Sequence, residues 1–385
     1  VQAGSSTVKE WPVPLRSRVL LAAAIIVPLA LATACGSSGT ATPAAPAAPG
    51  GGIPTGPGPG SQSLSEAGST LLAPVMSSWT RTYQQRYPNV HITTAAIGSG
   101  KGIAAAAAGK ADIGASDAYL SSGTLVQHRT LLNIPLAISA QQINYNVPGL
   151  RPGIHLRLSG KVLAEMYQGT IKTWNDPKIV KLNKGVPLPS TPVVPVHRLD
   201  SSGDTFLFTS YLSAHDSVWN HNQSYGTLVH WPFVAGARTA TSNGQMVTAC
   251  KAATGCVAYI GIAYLHTALA DGLGEAQLQN NAGAWELPSQ VSIGAAVQSF
   301  VSATPTNETI SMVNGPSPLG YPIVNYEYAV VSSKQPDAAK ARDIKAFLHW
   351  VITQGNATQF LSLYQFQPLP KSIESLSDAQ IAKIG

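Results

Sequence analysis

The chain has 385 residues, enough for two or three domains of ordinary size. Only 11% of the residues are charged and 44% are hydrophobic, which excludes a charge-rich disordered chain and allows sizeable cores. The formal net charge is +6, but no Lys/Arg run of the nucleic-acid-binding kind occurs, so DNA or RNA is not an expected partner.

The N-terminal residues 1–34 read as an export signal. Arg16 and Arg18 form a basic flank. Residues 19–34 are nearly all apolar, interrupted by Pro28, and fall short of the ~20 residues a membrane-spanning helix needs. Small residues then lead to Leu31-Ala32-Thr33-Ala34-Cys35. A Cys at the cleavage point resembles a bacterial lipobox, in which Cys35 becomes the first mature residue and carries lipid. Leu stands one place earlier here than in the commonest lipobox. The alternative is an uncleaved anchor with an incidental Cys. Residues 36–63 are almost entirely Gly, Pro, Ala, Ser and Thr, so 35–63 is expected to be a flexible tether.

From Leu64 onward one unit recurs: a strand, a turn with Ser/Thr and Gly, then a helix. Ser65-Glu66-Ala67-Gly68-Ser69-Thr70 precedes a helical pattern. There Leu72, Val75, Met76, Trp79, Tyr83 and Tyr87 share one face, with Pro74 tolerated in the first turn. Residues 90–95 read as a strand, Gly98-Ser99-Gly100-Lys101-Gly102 as a turn, and 103–108 as a helix stopped by Gly109. Residues 111–117 read as a short buried strand ending in Asp117. Helices are expected over 161–168, 205–212 and 343–355, and a strand over 193–196. Residues 281–309 carry no clear pattern. Alternating strands and helices predict an α/β architecture, with ligands beyond the carboxyl ends of the strands.

The chain has three Cys. If Cys35 is acylated, Cys250 and Cys256 remain as an even pair, which in an exported protein suggests a disulfide closing a tight loop. A metal site is the weaker reading, because no second Cys or His pair stands nearby at ligand spacing.

Nucleotide and hydrolase chemistry find little support. The Gly98–Gly102 stretch fails as a P-loop, since Ala95 and Gly102 stand where that motif wants Gly and a hydroxyl residue. Neither a Gly-x-Ser-x-Gly elbow nor a His-Glu-x-x-His pair occurs, and His197, alone at a strand end, reads as structural. The informative stretch is Arg198-Leu199-Asp200-Ser201-Ser202-Gly203-Asp204-Thr205-Phe206. It sets a guanidinium, a Ser-Gly pair and two carboxylates beside a helix start. Arg and helix-start N–H groups bind charged oxygens. A carboxylate only accepts hydrogen bonds, so it favours an oxyanion that keeps a proton, as phosphate does near neutral pH and sulfate does not. Each part has a plainer reading: Ser69-Thr70 as a helix cap, Asp117 as a turn residue, and Arg198 with Asp200 as a surface pair.

Taken together, these residues resemble the PstS family, the substrate-binding proteins of phosphate ABC transporters, and most of all its actinobacterial lipoprotein branch. The resemblance runs from about Leu64 to the C-terminus. It rests on Glu66-Ala67-Gly68-Ser69-Thr70-Leu71-Leu72-Ala73-Pro74, Ile97-Gly98-Ser99-Gly100, Gly114-Ala115-Ser116-Asp117-Ala118, Gly169-Thr170-Ile171-Lys172-Thr173-Trp174, the Arg198 stretch and Gly320-Tyr321-Pro322-Ile323.

The resemblance implies a two-lobed periplasmic binding protein-like fold of type II with the ligand cleft between lobes. Residues 64–142 and 322–385 would form the first lobe and 143–321 the second, with crossings near 141–146 and 315–325. Inorganic phosphate would be held by Ser69, Thr70, Leu71, Ser99 and Asp117 from one side, and by Arg198, Ser202 and Gly203 from the other. The implied protein is no enzyme and needs no cofactor. It is a monomer, lipid-anchored through Cys35 on the extracytoplasmic face of the cell membrane, and it serves the permease and ATPase subunits of an importer. Leu71 stands where many relatives have Phe, and Lys101 where Gly is common. Asp204 replaces a frequent Thr. It would either accept a second phosphate proton or pair with Arg198 or Lys101. Alternatives are another tetrahedral oxyanion, or a phosphatase or adhesion protein on the same scaffold.

Overall fold

The computed structural model describes residues 52–60, 62–150 and 153–385. The expected signal peptide and Cys35 lie outside these residues.

Twelve strands are present among the described residues: β1 Gln62–Gly68, β2 Val90–Ala96, β3 Ile113–Ser116, β4 Leu131–Asn146, β5 Arg157–Leu158, β6 Val194–Arg198, β7 Arg238–Ala240, β8 Cys256–Gly261, β9 Gly274–Glu275, β10 Gln277–Gln279, β11 Trp285–Glu286 and β12 Val324–Ser332. Nine form one sheet in the order β2-β1-β3-β12-β4-β8-β6-β7, with β9 also on β4. The others form a small sheet, β11-β10-β5.

The long strand β4 belongs to both halves of the large sheet. Its residues up to Ala140 pair antiparallel with β12, and from Gln141 to Asn146 it pairs with β8. Parallel pairs β1–β2 and β1–β3 fill one half, and β6–β8 and β6–β7 fill the other. Both β4 and β12 are buried almost from end to end, as strands covered on both faces must be, and both carry polar residues within that buried run.

The helix Ala73–Arg86 buries the expected stripe of Val75, Met76, Trp79 and Tyr83. Tyr83 meets Phe347 and Trp350 edge-on, both from the helix Ala338–Thr353. The other half centres on Tyr167, Phe208, Trp231 and Tyr259. His197 stacks on Trp231 with ring centroids 4.7 Å apart, and burial lowers its pKa. Cys250 and Cys256 are bonded, with Cα atoms 5.2 Å apart.

Two expectations need correction. The tether expected to reach Ser63 gives way earlier to chain that lies on the body. Tyr87 Oη donates to the Thr55 carbonyl, the Gly58 N–H donates to Asp343 Oδ1 at 2.8 Å, and β1 already begins at Gln62. Its glycines let the backbone lie close against the Tyr87 ring and Arg342. The second correction concerns residues 98–102. Only Gly98 is a turn residue, with φ +94°, and the helix already starts at Ser99 and runs to Ala107. Gly102 sits inside that helix because a Cβ there would lie 2.5 Å from the Ala67 carbonyl oxygen. It marks a close helix–strand approach and not a loop.

Candidate functional site

The carboxyl ends of β1, β3 and β6 converge, together with the starts of three helices. After β1, the Ser69 Oγ accepts the backbone N–H groups of Leu71 and Leu72, each at 3.0 Å, and donates its own proton to Asp117 Oδ1. This tightens the turn into the helix Ala73–Arg86. Ser99, the first residue of the helix Ser99–Ala107, donates to Asp117 Oδ2 at 3.2 Å and accepts the Asp117 N–H. Asp117 is thus fixed at the end of β3 by two hydroxyls from neighbouring turns.

Arg198 ends β6 and is 1% exposed despite its size. Its guanidinium forms a two-pronged pair with Asp200, Nε to Oδ1 at 2.6 Å and Nη2 to Oδ2 at 2.5 Å. Nη1 donates to Asp204 Oδ2 at 2.8 Å and to Thr70 Oγ1 at 3.2 Å. Burial works against the charge, but Asp200 and Asp204 more than offset it and hold the guanidinium pKa above its ordinary value.

Ser202 precedes the helix Gly203–His215, and its N–H donates to the Thr227 carbonyl. Gly203 lies so close to the opposite face that a Cβ there would stand 2.5 Å from Asp117 Oδ2 and 2.6 Å from Ser99 Oγ. The Gly100 N–H donates to the Ser201 carbonyl at 3.0 Å, a backbone bond across the same cleft.

The sequence-expected residues therefore meet at one buried point, with two qualifications. Leu71 contributes no side chain, since it packs against Gly261. Lys101 is exposed and stays out of the cluster. Three members were missed by sequence reasoning. Asn243 Nδ2 donates to Asp204 Oδ2 at 2.8 Å and to Thr70 Oγ1 at 3.0 Å. Gln141, where β4 changes partners, donates to Asp204 Oδ1 at 3.3 Å. Glu327 on β12 adjoins Asp117. For Asn243 the one available signal was Ser242-Asn243-Gly244, which reads only as a helix start. Nothing in the local sequence marks the other two.

Burial, followed by repulsion from Asp204, pushes the Asp117 carboxyl up to about 7. Burial also raises Asp204, while Arg198, Asn243, Gln141 and Ser202 work in the opposite sense. A cation, hydroxyls and helix-start N–H groups beside two carboxylates can hold an anion that brings its own proton. Among the described residues no group of three or more His, Cys, Asp or Glu could hold a metal ion.

Residues 54–354 match the family model described as PBP superfamily domain. The phosphate-binding protein PstS of Xylella fastidiosa is 33% identical over 310 residues, covering 80% of this chain and 82% of its own. Phosphate-binding protein PstS 3 of Mycobacterium leprae is 30% identical and covers 90% of this chain and 93% of its own. The crystal structure of a phosphate-binding protein from Stenotrophomonas maltophilia superposes with a TM-score of 0.62 at 18% identity, over 83% of this chain and 94% of that one. It shares the fold.

Proposed function

Because the chain belongs to the PstS family of phosphate-binding proteins, we propose that it captures inorganic phosphate between its two half-sheets and delivers it to the permease and ATPase subunits of an ABC importer. The observation that carries this reading is the placement of buried Asp117 opposite buried Arg198. A guanidinium alone would take any oxyanion. A fixed carboxylate beside it repels an anion without a proton and accepts a hydrogen bond from one that has it.

The residues assigned to the ligand are Thr70, Ser99 and Asp117 on one side, and Arg198, Ser202 and Gly203 on the other. Ser69 acts through Asp117, to which it donates. Residues 64–142 with 322–385 form one lobe and 143–321 the other, a division supported by the partner change of β4 at Ala140–Gln141. Asp204 is read as a counter-charge that orients Arg198. Its oxygens accept from Arg198, Asn243, Ser202 and Gln141, which supports pairing over capture of a second phosphate proton. Lipid attachment at Cys35, work as a monomer and an extracytoplasmic location complete the proposal. The Cys250–Cys256 bond suits an oxidising compartment. Among the described residues no helix is long and apolar enough to cross a membrane.

Calorimetry with phosphate, arsenate and sulfate tests the reading. Phosphate and arsenate should bind, and Asp117→Asn should narrow the preference over sulfate. Sulfate competing as well as phosphate would overturn it. Affinity measured from about pH 5 to about pH 8 tests Asp204, since phosphate changes ionisation state in that window. Strong preference for the monobasic ion would restore Asp204 as a second proton acceptor.

A further inference from the structure

Beside Asp117 lies a second buried carboxyl, that of Glu327. Glu327 is fully buried in the middle of β12. The register between β12 and β4 shifts between Glu327 and Tyr328: Glu327 pairs with Ala137 and Tyr328 with Pro135. Such bulges re-aim side chains next to binding sites.

The surroundings of Glu327 are polar but hold no cation. Oε1 accepts from Ser139 Oγ at 2.5 Å and from Asn325 Nδ2 at 2.9 Å. Asn325 Nδ2 also reaches the Asp117 carbonyl, tying the strand to the Asp117 turn. Oε2 is buried and meets no donor. The group within hydrogen-bond reach is the Asp117 carboxyl.

Two ionised carboxylates offer each other only lone pairs, and in a dry site their repulsion is severe. A proton between them turns that contact into a strong hydrogen bond. The hydrogen-bond donors facing the pair favour one placement of that proton. Asp117 faces Arg198 from β6 and Asp204 from the helix Gly203–His215, and it accepts from Ser69 and Ser99. Glu327 faces no charged group except Asp117 and has only neutral Ser139 and Asn325 beside it. Asp204 repels a charge on Asp117 more than Arg198 attracts it, but both Asp117 oxygens accept a hydroxyl whereas Glu327 Oε2 meets no donor, so the proton belongs on Oε2 and the charge on Asp117.

We propose that Glu327 is held as the neutral acid and donates its proton to Asp117, so that Asp117 stays ionised with a lone pair free for the ligand. Glu327 is a positioning residue: it acts on the anion only through Asp117. Burial, followed by the Asp117 charge, raises the Glu327 pKa, in keeping with this assignment. The inference rests on the phosphate reading of the site, but the proton on Glu327 can be observed without any phosphate.

Infrared difference spectra of the ligand-free protein near neutral pH, wild type minus Glu327→Gln, read the proton directly. A protonated-carboxyl carbonyl band present in wild type and missing in the variant is expected. Loss of carboxylate bands instead would overturn the inference and leave the phosphate reading untouched.

Calorimetry with inorganic phosphate then reads the consequence. Glu327→Leu removes the donor and should weaken binding about tenfold or more, shifting the acid limit of binding to higher pH. Glu327→Gln restores a neutral donor and should recover both. Equal losses in the two variants, or no loss and no shift in Glu327→Leu, would overturn the inference. If the Leu variant fails to fold, the spectrum and the Gln variant decide.

Discussion

Arg198 Nη1, at the end of one half-sheet, donates to Thr70 Oγ1 at the end of the other, 3.2 Å away. The same nitrogen holds Asp204, and the rest of the guanidinium holds Asp200. Arg198→Lys keeps a charge but loses the planar fork, so it cannot serve Asp200, Asp204 and the cleft together. Phosphate affinity should fall at least about tenfold by calorimetry. Arg198→Ala leaves two buried carboxylates without their cation and should cost about 3–5 kcal/mol in denaturant unfolding. Wild-type affinity in the Lys variant would contradict the geometry.

Gly100 and Ser201 approach closely across the cleft, the Gly100 N–H donating to the Ser201 carbonyl at 3.0 Å. A Cβ on Gly100 would stand 1.9 Å from Ser201 Oγ and 2.6 Å from Ser201 Cβ. Gly100→Ala should therefore hold the cleft ajar, lowering phosphate affinity about tenfold, chiefly through faster dissociation. Adding Ser201→Gly removes both clashing atoms and should restore most of the loss. Stopped-flow release from the single and double variants checks this, and a double variant no better than the single would count against it.

Several buried carboxyls set an unusual pH dependence of stability. Burial pushes Glu66 up to about 8, Glu275 to about 7 and Glu308 to about 9, and burial with Asp204 repulsion pushes Asp117 to about 7. A pKa raised in the folded state means that the folded chain binds protons more tightly than the unfolded one. The associated stability is complete below the ordinary carboxylate range and is lost as pH rises through these values. Above the ordinary His range the carboxyls act alone, so the phosphate-free Tm should fall between about pH 7 and about pH 9. Toward acid, His197 and His215, both lowered by burial, work in the opposite sense. Asp117→Asn should melt higher than wild type near pH 8 while binding phosphate poorly. A Tm that climbs from neutral to alkaline pH would refute the assignment.

The helix Asn243–Lys251 is fastened to β8 at both ends. The Cys250–Cys256 bond closes one end, and at the other Asn243 Oδ1 accepts the Gly261 N–H at 2.7 Å. Asn243 is also the residue that touches Thr70 and Asp204. Reduction, or Cys250→Ser with Cys256→Ser, should cost about 2–3 kcal/mol by loop-closure entropy. Because Asn243 keeps its own tie to the strand, phosphate affinity should change less than threefold or so. Unfolding and calorimetry on the same sample separate the two effects.

What the sequence made legible was local. The Arg198 stretch, the Ser69-Thr70 turn and Asp117 each lie at a strand–helix junction, where turn chemistry leaves a readable signature. Asn243, Gln141 and Glu327 are contacts over long sequence distances, and a single chain carries no pattern for them. The Gly98–Gly102 stretch misleads for a different reason. Glycine signals a breaker, yet Gly102 is there to admit the Ala67 carbonyl beside a continuing helix. The helix Gln290–Gln298 in the stretch without a clear pattern opens with a Ser289–Ser292 capping box. That box uses Ser where Glu or Gln is the usual signal.

The strand β4 is hydrogen-bonded into both half-sheets without a break, and Gln141 sits where its partners change. Unfolding of either half frays a strand that continues into the other, which couples the two in unfolding. The molecule is therefore two bodies for ligand capture but one cooperative unit for folding. A chain cut at this strand would give no independently stable fragment, because each piece would lose a central strand and not an edge.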